Sequence, residues 1–309
     1  MRTCSGKPDP IRRIGGLGHA QIIIFTILYA EVFNKLLQQQ LFRTGVILFS
    51  FSLILHIIFF YIHLIYQMKL DILAFGAHPD DIELSCAGTL LVEKANGKKV
   101  GIIDLTRGEL GTRGSAEIRK QEAAAAAKIL NVDIRENLEL ADGFFKNDET
   151  HQREVIRAIR KYQPEIIICN APEDRHPDHG RGAQLVEDAI FLSGLRKIET
   201  VDNGYIQAVW RPQFVFNFIQ DKYLHPNFVI DISAFMEQKI ASVRAYGTQF
   251  DNADTSEPQT YISTPDFLES IVYRAKMYGK MIGVKYAEGY ISKKMIGFNN
   301  FDGFIRENT

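Results

Sequence analysis

The sequence predicts an α/β fold, in which a mostly parallel sheet is covered by helices on both faces. Short apolar runs typical of buried strands alternate along the chain with longer segments whose apolar residues recur at helical spacing. In addition, polar residues cluster directly after three of the strand-like runs. Such clusters are expected where the carboxyl ends of parallel strands meet at one edge of a sheet.

The alternation begins at residue 70 and gives a Rossmann-like order of elements. Predicted strands lie at 70–76, 99–106, 137–140 and 165–170, and later at 213–219 and 227–233. Predicted helices lie at 82–97, 115–130, 151–164 and 180–195, and later at 234–247 and 265–283. Ser115 is the expected N-cap of the second helix, because a serine hydroxyl satisfies a free helix amide. Beyond about residue 205 the pattern loosens.

The first 67 residues differ from the rest of the chain. Residues 45–66 contain no Asp, Glu, Lys or Arg and are long enough to cross a bilayer. Two explanations remain open: a membrane anchor, or an upstream in-frame extension of a protein whose translation starts at Met68. We favour the second, which predicts a leader at 1–67, a catalytic domain at 68–309 and a cytoplasmic location. A translated and inserted 45–66 segment would make the protein membrane-anchored.

Composition and charge narrow the class of protein. The chain has 309 residues, and its formal net charge of -1 argues against a nucleic-acid-binding protein that works by neutralising phosphates. Its three cysteines are scattered, without a CxxC pair, so a disulfide framework or a thiolate zinc site is not expected. Cys86 and Cys169 are expected to be small buried residues. Composition and charge therefore predict no nucleic-acid partner.

The first chemical motif is "AHPDD" at 77–81, directly after the first predicted strand. It crowds His78, Asp80 and Asp81 into one turn. Two adjacent carboxylates repel each other and are costly to desolvate, so a cation would stabilise them there. Asp80 or Asp81 could instead cap the following helix, and this alternative stays open for the motif taken alone.

The second motif is "HPDH" at 176–179, which follows a later strand and supplies His176, Asp178 and His179. We expect this segment to be a loop between strand and helix. A catalytic zinc ion typically takes three protein ligands from His, Asp or Glu and keeps one position for water. The presence of both motifs favours a metal site over a simple helix cap.

The two motifs together resemble those of the LmbE-like, or PIG-L-like, family of zinc-dependent de-N-acetylases. The resemblance covers nearly all of residues 68–309 and implies an LmbE-like fold. Within the family, "TRGELGTRG", "AEIRKQEA", "LHPNFVIDIS" and "IGVKYAEGY" resemble the deacetylases of bacillithiol biosynthesis. That resemblance implies N-acetylglucosaminyl malate as the substrate. It also implies a homo-oligomer, such as a hexamer.

The resemblance also assigns roles to residues of the two motifs. It implies that His78, Asp81 and His179 bind Zn2+, that Asp80 is the general base, and that His176 is the cation facing the developing oxyanion. Asp178, close in sequence, is expected to hold the imidazole of His176 protonated and aligned. Zinc would polarise the amide carbonyl and lower the pKa of a water molecule.

Four further residues are candidates for binding substrate. Arg119 is the first choice for gripping a substrate carboxylate, and Arg113 is a second candidate for that role. Glu122 follows Arg119 in the same helix, and the family resemblance places both at the pocket. His225, in "LHPNF", is expected to line the pocket or to have a structural role. His151 is expected to lie on the surface.

Two other functions remain open from the sequence. The eukaryotic branch of the same family is membrane-anchored and deacetylates N-acetylglucosaminyl phosphatidylinositol, so a real helix at 45–66 would favour a lipid-linked substrate. A metal- or sugar-binding module without catalysis is the other alternative. Asp80 argues against the second, because a pure binding site does not need it.

Overall fold

A computed structural model of the protein describes residues 68–250, 257–297 and 300. The strands are β1 (Ile72–Gly76), β2 (Val100–Thr106), β3 (Ile134–Leu140), β4 (Ile166–Cys169), β5 (Val201–Asp202), β6 (Tyr205–Ile206), β7 (Phe214–Phe218), β8 (Phe228–Asp231) and β9 (Ala287–Ile291). The helices are α1 (Asp81–Ser85), α2 (Ala87–Ala95), α3 (Ala116–Leu130), α4 (Glu149–Tyr162), α5 (Pro177–Ser193), α6 (Met236–Arg244) and α7 (Pro265–Ile282), with a 3-10 turn at Tyr261–Ser263.

Seven strands form one sheet in the order β3-β2-β1-β4-β7-β9-β8. The pairs β1–β2, β2–β3, β1–β4 and β4–β7 are parallel, whereas β9 runs antiparallel to β7 and β8. The mostly parallel sheet is thus confirmed. The strand order reverses between β1 and β4, and the crevice at such a reversal is where open α/β sheets bind ligands.

The core lies on both faces of the sheet, because alternate residues of a strand point to opposite sides. From β1, Leu73 and Phe75 join a buried cluster with α4 and α5. Ile72 and Ala74 join a second cluster with α1 and α2 on the other face. Burial on both faces explains why β1 is an uninterrupted apolar run. A third cluster packs α3, α6 and α7 together.

One predicted helix boundary is confirmed and two differ from the predictions. Ser115 caps α3 as predicted, with its side chain accepting from the amide of Ile118. The predicted helix at 82–97 is two helices separated at Cys86. The helix predicted to begin at 180 begins at Pro177, because a proline has a fixed φ suited to the first helical position. His179 is therefore in a first helical turn and not in a loop.

Strand β9 was not predicted from the sequence, and it completes the sheet between β7 and β8. Its Glu288 is buried and accepts hydrogen bonds from the amides of Gly88 and Thr89 at 3.0 and 2.7 Å. The same carboxylate pairs with the buried ammonium of Lys239 at 2.7 Å. This group therefore joins β9 to the start of α2 and to α6.

The predicted leader and its membrane segment at 45–66 lie outside the described residues. Within 68–250, 257–297 and 300, no helix is long and apolar enough to cross a membrane. Cys86 and Cys169 are free and buried, as predicted.

Candidate metal centre and active site

The candidate site is a cavity of ≈ 350 Å³ at the carboxyl ends of the parallel strands. His78 follows β1, Gly108 and Gly111 follow β2, and His176 follows β4; all four line the cavity. The prediction that the three loops open on the same edge of the sheet is confirmed. A cavity of this size suits a small-molecule ligand.

The first motif forms a tight turn into α1. The amide of His78 donates to Asp81 Oδ2 at 3.0 Å, so the Asp81 carboxylate closes the turn. Asp80 occupies the N-cap position but makes no side-chain capping hydrogen bond. Its φ of 127° lies in a region that non-glycine residues rarely adopt, and such strain concentrates at functional sites. The turn therefore directs the Asp80 carboxylate into the cavity, and the simple capping alternative does not apply to Asp80.

Asp81 lies between two imidazoles. Its Oδ1 is 3.1 Å from His179 Nε2, and its Oδ2 is 3.7 Å from His78 Nδ1. Burial opposes its charge, but the charges of His179 and His78 hold the pKa of Asp81 well below its usual range. Nitrogen atoms of His78, His176 and His179 also lie within 4.8 Å of one another. These three imidazoles form a group that could hold a metal ion, and the ionised carboxylate of Asp81 adjoins two of them.

In His78 and His179, the ring nitrogen that points away from Asp81 contacts another carboxylate. His78 Nε2 is 3.1 Å from Asp142 and 3.4 Å from Asp178, and His179 Nδ1 is 2.6 Å from Asp174. Burial would lower the pKa of His78, but the hydrogen bonds to Asp142 and Asp178 raise it to about 10. Likewise, burial would lower the pKa of His179, but the charge of Asp81 and the bond to Asp174 raise it to about 9. The surrounding carboxylates therefore favour the protonated form of both rings.

Asp80 is paired with Arg119. Arg119 Nη1 lies 3.2 Å from Asp80 Oδ2 and 3.0 Å from the carbonyl oxygen of Pro79. Burial raises the pKa of Asp80 to about 7, although the Arg119 charge opposes the rise. A carboxylate that titrates near neutral pH suits general acid–base work. Arg119 lines the cavity as predicted, but its guanidinium is engaged by the protein.

The structure corrects the expectation for Asp178. Its carboxylate accepts from the amide of Gly143 at 2.8 Å and pairs with Arg181 at 2.6 Å, in addition to its contact with His78. The His176 ring instead accepts, through Nδ1, a hydrogen bond from the backbone amide of Asp178 at 3.3 Å. This arises because His176 is the N-cap of α5. Burial and the charges of His78 and His179 lower the pKa of His176, which favours a neutral ring in place of the expected cation.

Three of the predicted substrate-binding residues do not line the cavity. Arg113 donates to the carbonyl oxygens of Thr248 and Pro258, at 2.9 and 3.3 Å. Glu122 accepts from the amide and hydroxyl of Thr248, at 2.7 and 2.9 Å. Both residues thus fix the loop after α6. His225 is an exposed residue before β8, outside the cavity.

Several site residues were not identified from the sequence. Asn170 and Gln220 each donate a side-chain hydrogen bond to Asp81, at 2.9 and 2.8 Å. Asp142 and Asp174 hold the two histidines described above. Asp174 lies two residues before the second motif, and Asp142 lies two residues after the end of β3. Polar residues at strand ends were the signal available for Asn170 and Asp142.

The mouth of the cavity contains charged, aromatic and aliphatic side chains. Arg175 pairs with Asp221 at 2.7 Å, and its guanidinium lies 4.5 Å from the centre of the Tyr261 ring. Tyr261 also donates to Asp221 at 3.1 Å. Leu110 lies at the cavity and is 60% exposed. The mouth therefore offers an aromatic face, a cation and an apolar surface.

Fold and site together are typical of a hydrolase, and the site contains side chains that could hold a metal ion. A doubly wound α/β sheet carries, at its switch point, a donor set for a divalent cation and a separate carboxylate with a raised pKa. The arrangement is typical of metal-assisted hydrolysis.

Comparisons with known proteins identify the family. Residues 73–190 match the family described as PIG-L: GlcNAc-PI de-N-acetylase. Diacetylchitobiose deacetylase of Thermococcus kodakarensis is 31% identical over 237 residues, which span 71% of this chain and 81% of that protein. The crystal structure of the conserved protein TT1542 from Thermus thermophilus is 34% identical, with a TM-score of 0.67, over 74% of this chain and 97% of that one.

A second solved structure supports the same family. The N,N'-diacetylchitobiose deacetylase from Pyrococcus horikoshii is 25% identical, with a TM-score of 0.59, over 71% of this chain and 82% of that one. The chain thus belongs to the PIG-L, or LmbE-like, family of deacetylases and is an enzyme of the hydrolase class. The expected family and fold are confirmed.

Proposed function

We propose that the protein is a zinc-dependent hydrolase that removes acetate from an N-acetylglucosamine group of a small glycoside. The observation that carries this proposal is the meeting of the two motifs in one cavity. Asp81 lies there between His78 and His179, while Asp80 is held apart by Arg119. Metal donors and a general base are thus separate groups. Membership of a deacetylase family argues against a binding module without catalysis.

In this proposal His78, Asp81 and His179 are the zinc ligands. The donor set of two imidazoles and one carboxylate suits zinc, although such a set also accepts other divalent transition metals. Zinc bound there would polarise the acetamide carbonyl and lower the pKa of a water molecule. Asn170 and Gln220 keep the Asp81 carboxylate oriented through their side-chain amides.

Asp80 and His176 act on the substrate. Asp80 takes a proton from water as the water oxygen attacks the acetamide carbon, and it returns that proton to the nitrogen as the C–N bond breaks. The products are a free amine and acetate. His176, whose Nδ1 accepts the Asp178 amide, has its Nε2–H free to donate to the oxyanion of the tetrahedral intermediate. Asp178 holds His78 and the start of α5 in this scheme.

N-acetylglucosaminyl malate is the particular substrate that we propose. The cavity of ≈ 350 Å³ accommodates a small glycoside. The Arg119 side chain is paired with Asp80 and only 7% exposed, whereas that of Arg175, although paired with Asp221, is 46% exposed at the mouth; Arg175 is therefore the better candidate to meet a carboxylate of the aglycone. The exposed ring of Tyr261 offers a face for the sugar or its aglycone.

A second candidate substrate is N,N'-diacetylchitobiose. Two relatives that match most of the described chain carry this name, and a neutral disaccharide needs no cation at the mouth. A lipid-linked N-acetylglucosamine is a third possibility, which depends on the segment at 45–66. We propose residues 68–309 as the catalytic domain.

A substrate panel tests the proposal. Protein beginning at Met68 is given N-acetylglucosaminyl malate, N,N'-diacetylchitobiose and N-acetylglucosamine, and amine and acetate release are measured with Asp80→Asn as the inactive control. We expect kcat/KM to be highest for the malate glycoside, and Arg175→Gln to raise KM for that substrate alone. Preference for the disaccharide would replace our substrate. Failure to release acetate from any of them would contradict the proposed reaction.

A further inference from the structure

His78 and His179 each contact an aspartate through the ring nitrogen that points away from Asp81. We propose that Asp142 and Asp174 are positioning residues, each of which fixes the tautomer of one metal-facing histidine and ties it to one wall of the substrate cavity. The inference rests on the proposed function, because it takes His78 and His179 as metal ligands. It concerns two residues outside both sequence motifs.

Asp174 holds His179 and the wall that follows β7. Its Oδ2 lies 2.6 Å from His179 Nδ1. Its Oδ1 accepts from the backbone amides of Lys222 and Arg175, at 2.7 and 2.9 Å. The Asp174 side chain is fully buried. Since Gln220 and Asp221 line the cavity just before Lys222, Asp174 fixes both a ring and that wall.

Asp142 does the same for His78 and the loop after β2. Its Oδ1 lies 3.1 Å from His78 Nε2, and its Oδ2 accepts from the amide of Leu110 at 2.9 Å. Its own amide donates to Glu109 at 2.9 Å. Leu110 and its neighbours line the cavity after β2, whereas the wall held by Asp174 follows β7, on the other side of β1.

Carboxylate chemistry dictates the tautomers. An ionised carboxylate only accepts, so the ring nitrogen that faces it carries hydrogen. A metal ion that displaces the hydrogen of the other nitrogen then binds the lone pair of that nitrogen. For His179 that nitrogen is Nε2, 3.1 Å from Asp81, and for His78 it is Nδ1, 3.7 Å from Asp81. The structure thus assigns a different ligating atom to each histidine.

Asp174→Asn is expected to change the tautomer of His179 while keeping the hydrogen bonds to the cavity wall. Two backbone amides hold Oδ1, so the asparagine oxygen stays on them and its NH2 group faces His179 Nδ1. An NH2 group donates, so it favours the tautomer with hydrogen on Nε2, and a metal ion must then displace that hydrogen at a cost in affinity. The wall is kept and metal binding by His179 is weakened. Asp142→Asn is milder, because Asp178 lies 3.4 Å from the same nitrogen of His78.

Zinc affinity is the direct test. Zinc dissociation constants are measured by competition with a chromophoric chelator, and the absorption bands of the Co2+-loaded proteins report ligand geometry. We expect Asp174→Asn to weaken zinc binding about 10–100-fold, which is the usual effect of removing a group that hydrogen-bonds to a metal ligand. We also expect it to alter the Co2+ spectrum. We expect Asp142→Asn to weaken binding by less than about 10-fold, because Asp178 remains near His78.

Asp148→Asn is the matched control. Asp148 forms an aspartate–histidine contact with His151 at the same 2.6 Å, on the surface and outside the cavity. Its zinc affinity should equal that of the unaltered protein, and circular dichroism should show all variants folded. Unchanged zinc affinity in folded Asp174→Asn would overturn the inference. If the unaltered protein fails to bind zinc, the proposed function falls and the inference with it.

Substrate binding tests the second task. At saturating zinc, Asp174→Asn should keep the KM of the unaltered protein, because the bonds to Lys222 and Arg175 remain. Asp174→Ala removes those bonds and should raise KM severalfold. Equal KM values for the two variants would overturn the wall-holding part of the inference.

Discussion

Replacing Arg119 with methionine tests how the site sets the pKa of its general base. Arg119 and Asp80 are both buried, and their charged atoms lie 3.2 Å apart. Methionine keeps much of the side-chain volume but removes the charge. Because the Arg119 charge lowers the pKa of Asp80, its loss should raise that pKa. A base works when deprotonated, so the acid limb of kcat/KM should move to higher pH.

The size of the shift follows from the contact distance. Two unit charges about 3 Å apart interact by about 5 kcal/mol at an effective dielectric constant of about 20. Water entering the vacated space recovers part of this loss, and about 1.4 kcal/mol corresponds to one pKa unit. We therefore expect the limb to move up by about one to three units. Bound zinc lowers the pKa of Asp80 in both proteins. The quantity to compare is therefore the difference between their acid limbs.

The assay is kcat/KM for acetate release between about pH 5 and 10, with zinc saturating. Electrostatic control by Arg119 predicts a displaced limb and nearly full activity at high pH. If Arg119 instead grips a substrate carboxylate, as the sequence suggested, KM rises at every pH and the limb stays in place. That result would refute the reasoning from the Asp80 contact.

Three further predictions concern the base, the metal and the fold. Asp80→Asn should lower kcat by about 10²–10⁴-fold while zinc content, measured by atomic absorption, stays at the level of the unaltered protein; loss of zinc would contradict the separate roles of Asp80 and Asp81. Zinc binding at pH 7 should release about two protons per chain and strengthen as pH rises, because the raised pKa values of His78 and His179 favour protonated rings before zinc binds. Calorimetry in buffers of different ionisation enthalpy measures the number of protons released. Zinc binding without proton release would contradict the prediction. Glu288→Gln should cost about 3 kcal/mol in urea unfolding, because Lys239 loses its buried counter-charge; a cost below about 1 kcal/mol would contradict that assignment.

Local signals explain what could be predicted from the sequence. Strand β1 is an apolar run because both of its faces are buried, and Ser115 caps α3 with its own hydroxyl. Both features leave a signal in neighbouring residues of the sequence. The rule that ligands bind at the carboxyl ends of parallel strands then brought His78 and His176 to one cavity.

Tertiary pairing explains what could not be predicted. Strand β9 is five residues long, and its place between β7 and β8 depends on partners far away in the chain. Arg119 and Arg113 were expected to meet substrate, because a sequence does not reveal that Asp80 or the Thr248 carbonyl already engages them. Asp178 likewise contacts His78 instead of the nearby ring of His176, since helix α5 sets its direction.

Stoichiometric reconstitution tests the central claim most directly. Protein stripped of metal with a chelator is titrated with zinc while amine and acetate release from N-acetylglucosaminyl malate are measured together. The account predicts no turnover without metal, full turnover at one zinc per chain, and equal amounts of amine and acetate. Undiminished turnover by the stripped protein, or zinc bound at one per chain without acetate release from any N-acetylglucosamine compound, would contradict it.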